Sequence, residues 1–263
     1  MTTSDQLLLA LQAYAEIQPH PSTAGAEKQF VPASTKNRTN LIDRALLPDS
    51  SLLLGMAEDG LPVLLDLNNP VPGPILVSGD KSSGKTGLLR FLAQGSELLA
   101  DPGDTQFAVL THFPEEWESV DGLPNSMGIW PAYHPSCADL LSRLLSWRDV
   151  LPVSRQFILL LIDDLDLFAS TDPKIRQDLQ RLLQCGPEKH IWPVATVDPS
   201  RFERLTPWAG YFHTQIFGHL DRADWKEGLL NPGKFDAEKL IPGKEFAIRM
   251  LDDWLKFSIP ADD

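Results

Sequence analysis

One stretch narrows the folds open to this chain more than any other: Ile75-Leu76-Val77-Ser78-Gly79-Asp80-Lys81-Ser82-Ser83-Gly84-Lys85-Thr86-Gly87-Leu88-Leu89-Arg90-Phe91-Leu92. An apolar, β-favouring run ends in a glycine, Lys85-Thr86 comes six residues later, and a helix-period apolar pattern follows at once. This is the spacing G-x-x-x-x-G-K-S/T in the strand-then-helix setting that gives the match its weight. Gly79 and Gly84 allow a tight turn whose successive N–H groups point inward at phosphate oxygens. The start of the helix adds its positive end. Gly79, Asp80, Lys81, Ser82, Ser83, Gly84, Lys85, Thr86 and Gly87 are therefore the candidate phosphate-binding residues. Lys85 reaches toward the β/γ-phosphates, and the Thr86 hydroxyl is placed to ligate Mg²⁺.

A second stretch supplies acids. Arg155-Gln156-Phe157-Ile158-Leu159-Leu160-Leu161-Ile162-Asp163-Asp164 carries a continuous apolar run, as expected of a strand buried on both faces. Its two acids fall at the C-terminal end, where open α/β sheets place their chemistry. Downstream of a phosphate loop, Asp163 is the candidate for the Mg²⁺ shell. Asp164 is the candidate to orient or deprotonate an attacking water, so Lys85, Asp163 and Asp164 form the catalytic set. The plainer alternative is a strand ending in a polar turn, with Asp166 capping a helix.

The rest of the chain alternates strands and helices. Residues 4–17 read as an amphipathic helix with Leu7, Leu8, Leu11, Tyr14 and Ala15 on one face. Residues 18–38, with Pro19, Pro21, Gly25 and Pro32, read as a linker. We divide the chain into a helix-and-linker arm over 1–40 and one domain over 41–263. Residues 51–67 predict a β-hairpin turning at Asp59-Gly60. Helices are expected from about Lys85 to Ala100, from Ser136 to Trp147, from Asp172 to Cys185 and from Asp221 to Leu230. Gln106–Thr111, Met127–Trp130, Ile191–Val197 and Thr214–His219 are expected strands. Pro193 argues for an irregular or edge position in the third of these. Phe246–Met250 and Trp254–Ser258 read as a closing hairpin. Alternation of this kind predicts an α/β fold with a mainly parallel sheet flanked by helices.

Charge and cysteine usage limit the partners. A formal charge of -13 repels phosphodiester backbones unless basic residues cluster, and no such run is present. DNA is thus a disfavoured partner. Two cysteines make neither a disulfide framework nor a zinc spacing, which points to a reducing, cytoplasmic compartment. The longest apolar run, Phe157 to Ile162, is too short to span a bilayer, so no membrane association is expected.

In its order of features the chain resembles the FtsK/HerA group of P-loop ATPases. The residues that carry the resemblance are the hairpin Leu53-Leu54-Gly55…Gly60-Leu61-Pro62-Val63…Asp66-Leu67 ahead of Pro74–Gly79, and the acidic pair Asp163-Asp164. Ala195-Thr196-Val197-Asp198-Pro199-Ser200 resembles the group's sensor segment, and Leu240-Ile241-Pro242-Gly243-Lys244-Glu245-Phe246 its closing strands. The resemblance spans roughly residues 45–258. It implies a RecA-like P-loop NTPase fold, ATP with Mg²⁺ as ligands, and a homo-oligomeric ring, a hexamer being one such size, that moves DNA or protein. It also implies a cation supplied by a neighbouring subunit, for which Arg201 and Arg204 are the candidates.

Departures from the group's pattern concern turnover more than binding. Ser82 stands for a usual glycine. Asp164 is one methylene shorter than the usual glutamate, a displacement of about an ångström that can cost about a factor of 100 in rate. Val197 cannot hydrogen-bond as the usual glutamine does, and Asp198 reverses the charge of the usual arginine. Two functions follow: an ATPase acting as an oligomeric ring on a polymer, with weak hydrolysis, or a hydrolysis-impaired nucleotide-binding module used for assembly. In the second, the N-terminal helix docks on a protein partner. A small-molecule kinase is a third reading, with no arginine-rich lid in the sequence to favour it.

Overall fold

The computed structural model describes residues 50–99, 104–150, 156–221, 231–233, 235–250 and 253–260. The expected helices over 4–17 and 221–230, and the linker over 18–38, lie outside the described residues or almost wholly so.

Among the described residues, ten strands form one mixed sheet in the order β2-β1-β10-β9-β8-β3-β7-β6-β4-β5. They are β1 (Ser51–Ala57), β2 (Pro62–Asp66), β3 (Ile75–Ser78), β4 (Thr105–Thr111), β5 (Ser126–Pro131), β6 (Phe157–Ile162), β7 (Ile191–Val197), β8 (Thr214–Phe217), β9 (Glu245–Met250) and β10 (Asp253–Ser258). From β8 to β5 every pairing is parallel. From β8 outward through β9, β10, β1 and β2 every pairing is antiparallel. The first hairpin turns where Asp59-Gly60 predicts it, with Gly60 at φ +83° and its N–H donating to Ala57 O.

Among the described residues, three long helices cover the sheet: α1 (Lys85–Leu99), α2 (Pro135–Val150) and α3 (Pro173–Cys185). Asp172 caps α3 with its carboxylate on the Lys174 N–H, and Pro173 occupies the first turn, where a missing N–H costs nothing. The two faces have separate cores. Leu88, Leu89, Leu92 and Ala93 of α1 meet Phe157, Leu159 and Leu161 of β6 on one face. Leu140, Leu141 and Leu144 of α2 and Leu179, Leu182 and Leu183 of α3 meet Ile158, Leu160 and Ile162 on the other. All six residues of β6 are buried, which is why its sequence shows no alternation. Each leucine so enclosed contributes roughly 1.5–3 kcal/mol.

Pro193 gives a correction. Its strand is central, not at an edge: β7 lies between β3 and β6 and is buried throughout. The reason is register. The Ile158 N–H donates to His190 O, and alternation from there turns Pro193 toward β3. The β3 ladder begins only at Ile75↔Val194, one residue later, so the N–H that proline lacks has no ladder partner to lose.

Candidate functional site

Strands β3, β7, β6 and β4 end side by side along one edge of the sheet. Side-chain alternation then decides which residues meet. In β6 the odd-numbered residues face the α1 core and the even-numbered ones the α2/α3 core. Continuing that parity, Asp163 falls on the α1 side, where Thr86 begins the helix. The Thr86 hydroxyl lies 3.0 Å from Asp163 Oδ2 and 3.2 Å from Oδ1. Two residues 77 apart in sequence are thus brought together as their spacing within two separate motifs predicts.

Lys85 is nearly enclosed, 9% exposed, and its ammonium donates to Gly79 O at 2.8 Å and Asp80 O at 2.7 Å. Burial holds it below the usual lysine range, with Asp164, Asp198, Asp163 and Asp80 pulling the other way. The loop is closed from outside: the Gly243 N–H donates to Ser83 O at 3.0 Å. Gly84 has φ +92°, and a Cβ there would sit 2.4 Å from Gly243 Cα, so the second motif glycine is required twice over. Ser82, which stands for a glycine in the resembling group, has φ +69°. A serine in that left-handed region costs about 1 kcal/mol or more. The Asp80 side chain is mostly covered, its carboxylate accepting the Asp221 N–H at 2.8 Å and lying 3.1 Å from His219 Nδ1. Lys81 is exposed, Ser83 buried, and Gly87 lies in the first turn of α1.

Asp163 is 3% exposed, and burial, seconded by Asp164, pushes its carboxyl above the usual range. Hydrogen bonds oppose that rise: Thr196 Oγ1 donates to Oδ1 at 2.8 Å, Thr86 donates as above, and Trp117 Nε1 lies 3.4 Å from Oδ2. Thr196 and Trp117 were not among the expected site residues. Thr196 was legible by parity, because Val194 faces the α1 core and Ala195 and Val197 the other. Val197, at the expected sensor position, is therefore a core residue turned away from the phosphate loop. Trp117 had no sequence signal; it arrives from a 3-10 turn, Pro114–Trp117, after β4.

Asp164 has φ +55° and ψ +60°, and its N–H donates to Thr196 Oγ1 at 2.7 Å. Its carboxylate lies 3.2 Å from an Arg201 nitrogen. Arg201 Nε also meets Asp166 Oδ2 at 2.6 Å, and Asp166 is fully buried. Burial lifts the Asp166 carboxyl to about 6, with Arg201 lowering it in opposition. The plainer alternative falls: Asp166 is not a helix cap but a buried carboxylate beside Arg201. Arg201, a candidate for reaching a neighbouring subunit, is engaged within its own chain; Arg204 is exposed.

The oxygen donors fit a hard divalent cation: a hydroxyl and a carboxylate in contact at the mouth of a phosphate-type loop. Thr86 and Asp163 are the residues that could hold it.

No family model matches the sequence. No curated protein matches it. Solved structures do. The cytoplasmic domain of the type VII secretion ATPase EccC from Thermomonospora curvata superposes with a TM-score of 0.59 at 16% identity, over 85% of this chain and 28% of that one. EssC (ATPases 2 and 3) from Geobacillus thermodenitrificans gives 0.62 at 14%, over 81% and 45%. The pCW3 conjugation coupling protein TcpA, solved as a monomer with ATPγS, gives 0.61 at 14%, over 82% and 67%. The chain spans less than half the length of the first two. Among the described residues no helix is long and apolar enough to cross a membrane. The chain shares the RecA-like fold of these P-loop ATPase structures.

Proposed function

We propose that the chain binds ATP with Mg²⁺ at the Gly79–Gly87 loop, hydrolyses it slowly, and uses it in a homo-oligomeric ring that engages a protein in preference to DNA. The contact between the Thr86 hydroxyl and Asp163 carries the reading, since it joins loop and acid at the point where a phosphate-bound cation needs both. In this reading the backbone N–H groups of the loop and the free N–H groups opening α1 receive the phosphates. Lys85 exchanges its bonds to Gly79 and Asp80 carbonyls for phosphate oxygens. Thr86 and Asp163 hold Mg²⁺, which neutralises phosphate charge when bound, and Asp164 orients the attacking water.

The second reading, a hydrolysis-impaired assembly module, is favoured by one specific observation: the Asp164 carboxylate is already paired with Arg201 in the same chain. Both readings share nucleotide binding and separate on turnover. The net charge of -13 supports a protein over a nucleic acid as the engaged polymer. Sedimentation of the purified chain with and without Mg·ATP tests the assembly part. A larger species that requires Mg·ATP and is lost in Lys85→Ala is expected. A single unchanging species would refute a nucleotide-linked ring.

A further inference from the structure

Asp163 is held by donors from three elements, and they divide its two oxygens between them. Thr196 of β7 takes Oδ1 at 2.8 Å, Trp117 takes Oδ2 at 3.4 Å, and Thr86 of α1 sits across both. The direction of the Thr196 bond is fixed by its other partner. Its oxygen accepts the Asp164 N–H at 2.7 Å, which leaves the single hydroxyl proton for Asp163. Trp117 is fully buried, and its turn is tied to the phosphate-loop helix, where Arg90 donates to Glu116 O at 2.6 Å. A hydroxyl on one oxygen and an indole N–H on the other therefore restrain the carboxylate, with Thr86 in reach of both.

We propose that Thr196 and Trp117 are positioning residues for the divalent cation: they hold the Asp163 carboxylate in the orientation that, with Thr86, completes the cation's oxygen set. Neither touches the cation or the phosphates. Their effect passes through Asp163, as outer partners of metal ligands generally act. The inference rests on the Mg·ATP reading given above.

The test is equilibrium binding of a fluorescent ATP analogue, in excess EDTA and across a Mg²⁺ series, for the wild type, Trp117→Phe, Thr196→Val and Thr196→Ser. Affinity in EDTA is expected to stay at the wild-type value in all four. The Mg²⁺ concentration at half-effect is expected to rise by about 10–100-fold in Thr196→Val and by the lower end of that range in Trp117→Phe. Thr196→Ser, which keeps the hydroxyl, is expected to recover most of the loss. Thr196→Val also leaves the Asp164 N–H unpaired, so a thermal melt accompanies each variant and Trp117→Phe decides if Thr196→Val does not fold. An unmoved Mg²⁺ half-point in the folded variants overturns the proposal, as does an equal loss of affinity with and without Mg²⁺, which would mark a structural role. Wild-type binding indifferent to Mg²⁺ sinks this inference while leaving the nucleotide site standing. Absence of binding in either condition removes both.

Discussion

The phosphate-loop side of the site and the acid-and-sensor side are built differently. On the first, Gly84 allows a contact no Cβ could survive, Lys85 lies within the loop, and Thr86 reaches the acid. On the second, Val197 faces the core, Asp198 spends its carboxylate on Ser200, and Asp164 pairs with Arg201 over a fully buried Asp166. Both sides are satisfied by the chain itself, the first through backbone carbonyls around Lys85 and the second through a cation beside Asp164. In the proposed function, binding and turnover rest on different strands, so substitutions on one side are expected to change one without the other.

The largest way to break that contrast is Arg201→Ala. It leaves a buried carboxylate without its cation, and we expect a loss of about 3 kcal/mol at pH 8 in chemical denaturation, the lower end for breaking a buried pair because the arginine is partly exposed. The loss should be smaller at pH 5, where Asp166 can take up a proton. Equal losses at both pH values would mean that Asp166 is not the group responsible.

Next comes Asp166 itself. Its folded carboxyl titrates at about 6, above the ordinary carboxylate of the unfolded chain. The folded state thus binds more protons between about pH 4 and 6, so the stability this group contributes is present at the acid end and lost as pH rises through 6. Asp166→Asn should remove that loss, about 2–3 kcal/mol across the window, and flatten the stability profile relative to wild type. A profile of unchanged slope would contradict the burial argument.

Smallest is Ser82→Gly. Relief of a left-handed serine, less the entropy glycine adds to the unfolded chain, should stabilise the fold by about 0.5–1 kcal/mol. A destabilised variant would show that the serine side chain contributes more than its backbone costs.

What the sequence revealed follows the same division. The parallel core, the two acids and the phosphate loop were legible because they rest on local patterns: an apolar run, a glycine spacing, a capped helix. Pro193 misled because edge and centre differ only in which neighbour begins where, a fact of register. Thr196 was legible in principle from parity, once Val197 was seen as one strand position out of phase with Asp163. Trp117 and the Arg201–Asp166 pair were not, since they depend on which loops the topology folds over the sheet edge.

The central claim is that this site binds Mg·ATP while turning it over slowly. It is tested most directly by measuring, on one preparation, saturable binding of a fluorescent ATP analogue and ATP turnover per site across a protein concentration series, beside Lys85→Ala. The account predicts Mg²⁺-dependent binding that Lys85→Ala weakens by about 2–3 kcal/mol, the worth of charge-assisted bonds to phosphate. It predicts turnover at least about 100-fold below the roughly 10 s⁻¹ typical of enzymes at every protein concentration. Turnover near that typical rate and dependent on Lys85 would contradict the idea that the acid side is restrained, and no binding at all would contradict the site.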